Sequence, residues 1–197
     1  MTFYSFARSV VAGVLKPVYR IEVIGLEHFP KDGGVLLCTN HIHNFDPLVV
    51  GTTAPRPVHF MAKEEIFKVP VLGNIVRKCN AFPVKRGKGD RESLRAGLKV
   101  LKDGNVFGLF PEGTRSKTGE IGKGLSGAGF FALRTDAKVI PCAIIGPYKS
   151  FGKLRVVYGR PISMEEMRSK KASAEEVTEL IMSEIHKLIK EHQKVSA

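Results

Sequence analysis

Residues 35–46, VLLCTNHIHNFD, constrain the chain more than any other stretch. An apolar run from Val35 to Cys38 stops abruptly at a polar cluster holding Asn40, His41, His43 and Asp46. Short, continuous hydrophobicity predicts a strand buried on both faces, as in a sheet covered by helices, because neither side alternates to meet water. In open α/β folds, reactive groups gather just beyond the carboxyl ends of such strands, and His41 stands there. Asp46 follows close enough for a tight turn, or the first turn of a helix, to bring its carboxylate back to the imidazole. That pair would be an oriented general base, the carboxylate fixing the tautomer and stabilising the imidazolium. The same residues also suit an Asp that caps a helix beside a surface His. A further use is metal binding through His41, His43 and Asp46. No additional His or Cys cluster with metal-ligand spacing completes such a site, so neither a metal nor another cofactor is expected.

A chain of 197 residues can form one domain with a proper core and no cross-links. Cys38, Cys79 and Cys142 are far apart, odd in number and set in apolar stretches, so buried free thiols in a reducing compartment are expected. The formal charge of +12 calls for an anionic partner: nucleic acid, lipid headgroups or a phosphorylated substrate. Nucleic acid is disfavoured, since zinc-finger spacing, RNP-type aromatics and a long basic arm are all missing. No segment reaches the ~18 uninterrupted apolar residues of a spanning helix. The first 15 residues carry Phe3, Phe6, Val10 and Val14 at helical spacing, widened by Tyr4, Val11 and Leu15 and edged by Arg8 and Lys16. This stripe suits a helix lying in a membrane interface, or one packed on a core. A signal peptide fits poorly, because Arg8 interrupts the apolar run. The expected division is an amphipathic helix over 1–19 followed by one domain over 20–197.

Further along, strands are predicted at 20–24, 58–62, 79–84, 106–110, 139–145 and 154–158, and a short helix follows Asp46. Pro70 and Gly73 split the apolar stretch 63–80 into two helical pieces, which suit either an acyl-chain groove or core. In KRGKGDR, Lys85, Arg86, Lys88 and Arg91 crowd near two glycines, a pattern able to hold phosphate or merely to form a solvated basic turn. Asp90 is placed to cap a helix carrying Leu94, Leu98 and Leu101, stopped by Gly104. The strand ending at Phe110 runs into FPEGTRS, where Glu112, Gly113, Thr114, Arg115 and Ser116 present a carboxylate, a guanidinium and hydroxyls. The glycine-rich GKGLSGAGFFALR suits a helix packed very closely on the sheet and lacks a nucleotide-binding pattern. Pro141 must sit at an edge, a bulge or a strand's start. Ser163 with Glu166 and Ser173 with Glu176 fit capping boxes, the second opening a helix whose apolar face, from Val177 to Ile189, would cover the sheet.

Taken in order, these blocks resemble those of the lysophospholipid acyltransferase family, specifically its bacterial 1-acyl-glycerol-3-phosphate branch. Asn40, His41 and Asp46 match its N-H-x-x-x-x-D block, Arg86 the Arg of its second block, residues 110–116 its F-P-E-G-T-R-S block, and Pro141 the Pro of its fourth. The resemblance implies a glycerolipid-acyltransferase-like α/β fold, a single domain with a mixed, largely parallel central sheet covered by helices, here preceded by the amphipathic N-terminal helix read from the spacing. It implies catalytic roles for His41 and Asp46 and acceptor binding by Asn40, Arg86, Glu112, Gly113, Thr114 and Arg115. The partners implied are acyl-CoA or acyl-acyl-carrier protein as donor and lysophosphatidic acid as acceptor; the charge, the thiols and the N-terminal stripe add an anionic membrane surface on the cytoplasmic side, bound peripherally. No G-x-S-x-G nucleophile elbow is present, consistent with direct attack on an activated thioester. Two other readings use the same residues: a metal-dependent phosphoesterase built on His41, His43 and Asp46, and a non-enzymatic basic module binding anionic lipid or nucleic acid.

Overall fold

The computed structural model describes residues 2–85, 90–116 and 118–193. In chain order its elements are α1 (Phe3–Val18), β1 (Arg20–Ile24), β2 (Val35–Thr39), α2 (Asp46–Thr53), β3 (Val58–Lys63), α3 (Glu64–Lys68), α4 (Leu72–Lys78), β4 (Ala81–Val84), α5 (Arg91–Lys102), β5 (Val106–Leu109), α6 (Gly127–Arg134), β6 (Lys138–Ile145), β7 (Lys153–Tyr158), α7 (Glu165–Ser169) and α8 (Ala174–Gln193). The strands form one seven-stranded sheet in the order β1-β7-β6-β2-β5-β3-β4. Every neighbouring pair is parallel except β6 with β7. The carboxyl ends of β6, β2, β5, β3 and β4 therefore share one edge of the sheet.

β2 is central and wholly buried, and its alternating side chains divide the core. Val35 and Leu37 join Leu15, Tyr19, Val49, Val50 and Ala54 under α1 and α2. Leu36 and Cys38 join Leu101, Phe131, Val177, Ile181 and Ile185 under α5, α6 and α8. The result is a single α/β domain in three layers. Helix ends follow local chemistry. Asp90 accepts from the amides of Glu92 and Ser93 at the start of α5, and Ser173 and Glu176 exchange backbone bonds in a complete capping box. Ser163 does not form the reciprocal box expected of it: its Oγ accepts from Glu165 N–H, while the Glu166 carboxylate pairs with Lys170.

α1 runs through Pro17 to Val18 and docks on α2. The Tyr4 hydroxyl accepts from Val58 N–H at 3.0 Å. The Arg8 guanidinium donates to the carbonyls of Thr52 and Ala54 at 3.2 and 2.7 Å, satisfying acceptors that the carboxyl end of α2 leaves unpaired. Leu15 is buried, whereas Phe3, Phe6, Val10 and Val14 face outward and exposed. Arg8 is thus an anchor to the protein body, and the apolar stripe splits into a core-facing and an outward-facing half. Among the described residues no helix is long and apolar enough to cross a membrane.

Three expectations need correction. Pro141 lies inside β6, a central strand, opposite Cys38 of β2. It is tolerated because its nitrogen faces the other side, where β7 has ended and Gly159 N–H already bonds the Pro141 carbonyl. The close approach of α6 is to α8 rather than to the sheet: a Cβ on Gly129 would stand 1.9 Å from the Ala174 carbonyl oxygen. Cys38 and Cys142 are buried, but Cys79 is only half-buried.

Candidate active site

Where β2 ends, the chain folds back on itself through Asp46, the first residue of α2. His41 Nδ1 lies 2.7 Å from Asp46 Oδ2. That oxygen also accepts from the backbone N–H groups of Ile42 and His43, each at 2.7 Å. Asp46 is completely buried, and its remaining oxygen, Oδ1, accepts from the Tyr148 hydroxyl at 2.5 Å. A carboxylate out of water persists only when its lone pairs are filled, and here both oxygens are taken. Because a carboxylate only accepts, Nδ1 carries the imidazole proton and Nε2 is left with the basic lone pair. The His41 side chain remains 16% exposed, and its ring stacks on Phe110, centroids 4.2 Å apart. Phe110 stacks in turn on Phe60.

The FPEGTRS loop grips the backbone on either side of that ring. Glu112 Oε1 accepts from His41 N–H at 2.9 Å, and Ser116 N–H donates to the His41 carbonyl at 2.8 Å. Glu112 Oε2 accepts from Gly122 N–H at 2.9 Å, so its buried carboxylate is spent on two backbone amides. Gly113 adopts φ +66, a left-handed conformation that favours glycine. Asn40, also buried, ties β2 to β6: its Nδ2 donates to the Ile144 carbonyl at 2.9 Å and its Oδ1 accepts from Ile144 N–H at 2.7 Å. Thr114 and Arg115 are exposed beside His41.

Among the described residues expected to bind the acceptor, only Thr114 and Arg115 present side chains outward. Asn40, Glu112 and Gly113 are built into the scaffold around His41. Arg86 and Lys88 lie outside the described residues. At the carboxyl end of β4 is a cavity of about 340 Å³ lined by Lys68, Arg77 and Lys85 together with Phe67, Phe82 and the carboxylates of Glu64, Asp90 and Glu92. His43 does not converge with His41 on a common point. Its ring stacks on Tyr148 at 4.3 Å, and its Nδ1 accepts from Phe45 N–H. Among the described residues no group of three or more His, Cys, Asp and Glu side chains is arranged to hold a metal.

Tyr148 was not foreseen. It stands just beyond the carboxyl end of β6, but nothing in GPYKSF distinguishes it from a surface turn. Only the pairing of β6 with β2 brings it to Asp46. Burial, followed by the charge of Asp46, pushes its phenol far above the ordinary range, so it stays a neutral donor.

A family profile described as Acyltransferase matches residues 20–145, from β1 to the end of β6. The chain belongs to this acyltransferase family. It is 31% identical to a 1-acyl-sn-glycerol-3-phosphate acyltransferase of Bacillus subtilis over 81% of this chain and 82% of that one. It is 26% identical to the Streptococcus pneumoniae protein of the same name over 96% and 74%. A chloroplastic relative from Arabidopsis thaliana is 29% identical, but the chain spans about half of its length. The crystal structure of the Thermotoga maritima 1-acyl-sn-glycerophosphate acyltransferase superimposes with a TM-score of 0.75 at 24% identity, covering 97% of this acyltransferase and 77% of that chain. The shared fold extends over the whole sheet.

Proposed function

We propose that this acyltransferase moves a fatty acyl group from an acyl thioester to the sn-2 hydroxyl of 1-acyl-glycerol-3-phosphate, giving phosphatidic acid for phospholipid synthesis. The observation that carries the proposal is the His41–Asp46 pair at 2.7 Å, with the tautomer that leaves Nε2 free to take a proton. His41 Nε2 accepts the proton of the acceptor hydroxyl as its oxygen attacks the thioester carbonyl. Collapse of the tetrahedral intermediate breaks the C–S bond, and the departing thiolate takes the proton back from the imidazolium. General-base assistance of this kind is worth ~10²- to 10⁴-fold. Holding both substrates in register contributes more.

In this scheme Arg115 and Thr114, with Arg86 from the second block, hold the acceptor phosphate, where a guanidinium fork suits its oxygens. Asn40, Glu112 and Gly113 act indirectly, by fixing the backbone that carries His41. The donor is acyl-CoA or acyl-acyl-carrier protein. The proposed docking is peripheral, to the cytoplasmic face of the membrane, through the exposed stripe of α1 and the exposed Val69, Val71, Leu72 and Ile75 around α4. These two patches adjoin where the Lys78 ammonium lies over the Phe3 ring at 5.3 Å. Val71 adds weight to this assignment. It sits at φ +64, and Leu72 N–H bonds the Pro70 carbonyl at 2.7 Å, which makes a strained γ-turn around a β-branched residue that remains 72% exposed.

The test is thiol release from purified protein supplied with lysophosphatidic acid and each donor in turn. Release that requires the acceptor, with phosphatidic acid formed, is expected. Absence of release with both donors would overturn the proposal. Metal-independent turnover in chelator would exclude the phosphoesterase alternative.

A further inference from the structure

The His41–Asp46 pair leaves one lone-pair direction on Asp46 that the H-x-x-x-x-D block itself does not fill. His41, Ile42 and His43 all bond Oδ2. Oδ1, on a fully buried carboxylate, depends on a residue far along the chain, Tyr148, whose hydroxyl is 2.5 Å away. The phenol ring is held on two sides, stacked on His43 at 4.3 Å and edge-on to Tyr19 at 5.3 Å. Its direction is thus set by packing as well as by the hydrogen bond.

We propose that Tyr148 is a positioning residue of the acyl-transfer site, its hydroxyl locking the second oxygen of Asp46 and thereby tempering how strongly Asp46 stabilises protonated His41. This role rests on the proposal that His41 is the general base. A donor on Oδ1 draws negative charge away from Oδ2. A carboxylate with such a donor orients an imidazole while favouring its charged form less than a bare carboxylate would. Removing the hydroxyl strengthens Asp46 as a partner for the imidazolium.

The titratable groups around the pair do not duplicate this effect. Cys142 of β6 lies close enough to feel Asp46, but burial pushes its thiol up to about 12, so it stays neutral. Glu112, beyond β5, is directed at backbone amides. His43 shares the loop of His41 and meets only the face of the Tyr148 ring. Tyr19, at the end of α1, meets that ring edge-on.

The experiment compares Tyr148→Phe with the wild type, since Phe keeps both ring contacts. The titration of His41 is followed through its own side-chain NMR signals, separately from His43. In parallel, kcat/KM is measured against pH with lysophosphatidic acid and a thioester donor. In Tyr148→Phe the His41 midpoint is expected to rise by about half a unit to one unit. The acid limb of kcat/KM moves up by the same amount, with KM for both substrates near the wild-type value. A folded Tyr148→Phe protein whose His41 titration and acid limb both match the wild type would overturn the inference while leaving His41 as the base. Full turnover by His41→Ala in the same assay would instead remove the general-base proposal, and this one with it.

Discussion

His41, Asp46, Asn40 and Glu112 are all polar, all cluster at one strand end, and do different things. His41→Ala is expected to cut acyl transfer by ~10²- to 10⁴-fold in a protein that still folds, with a lowered thermal midpoint because buried Asp46 loses one of its donors and Phe110 its stacked ring. Steady-state rates beside a melting curve check this, and a folded variant with wild-type turnover would contradict it. Asn40 and Arg115 should separate cleanly. Asn40→Ala strands a buried N–H and a buried carbonyl of Ile144, so it should cost about 1–3 kcal/mol of stability and leave KM for the acceptor unchanged. Arg115→Ala, on an exposed side chain, should leave stability alone and raise the acceptor KM by roughly 10- to 100-fold, the worth of a charge-assisted contact. Denaturant titrations and acceptor saturation curves on the two variants decide it. The reverse pattern would return Asn40 to the substrate and Arg115 to the scaffold.

Among the elements, α6 and α8 meet so closely that Gly129 has the Ala174 carbonyl where a side chain would begin. Thr178 Oγ1 reinforces the contact by accepting from Gly129 N–H at 2.9 Å. Gly129→Ala gains helix propensity but must push the helices apart, and overpacking of this sort costs typically 1–3 kcal/mol. A lowered denaturation midpoint is expected, and an unchanged or raised one would show that the helices separate freely. α1 presents the opposite case, a helix with half of its apolar surface unused. Phe3→Ser with Phe6→Ser should leave the fold stable, since neither ring is buried. The double variant should reduce co-sedimentation with anionic vesicles, more so in high salt, which screens the +12 charge. If vesicle binding ignored both the salt and the two changes, α1 would not be the docking element.

For the molecule as a whole, the buried thiols set an alkaline limit. Burial raises Cys142 to about 12 and moves Cys38 in the same direction, from an ordinary value of 9.0. Burial likewise raises Tyr158 and Tyr148. A group whose folded value lies above its unfolded one contributes stability that is fully present below the unfolded value and is lost as pH rises above it. These groups should therefore leave stability flat between pH 7 and 9. Above that it should fall by up to about 1.4 kcal/mol per pH unit for each thiol, more steeply once the tyrosines join. Urea midpoints from pH 7 to 11 check the slope, which Cys142→Ala should flatten. A curve that stays level to pH 11 would mean that the thiols reach water in the native state.

Most of the sheet was legible because each strand's signal is local. VLLCT is apolar at every position, so it must be covered on both faces, and the helices between strands dictate parallel pairing. The chemistry at the strand ends was legible for the same reason: His41 and Asp46 are neighbours in sequence, and Glu112 to Arg115 directly follow a strand. Local pattern could not tell a side chain that faces substrate from one that faces backbone. The carboxylate of Glu112 and the amide of Asn40 turned out to be consumed by Gly122, His41 and Ile144, and only strand order brings His41 to Glu112 and Ile144 to Asn40. Pro141 entered a central strand because β7 happens to end beside it. Tyr148, 102 residues beyond Asp46, joined the site through the pairing of β6 with β2. Residue type and spacing determined which groups could react. The assignment of each polar group to chemistry or to scaffold was decided by the tertiary structure, because a buried donor or acceptor is claimed by whatever the fold places within 3 Å of it.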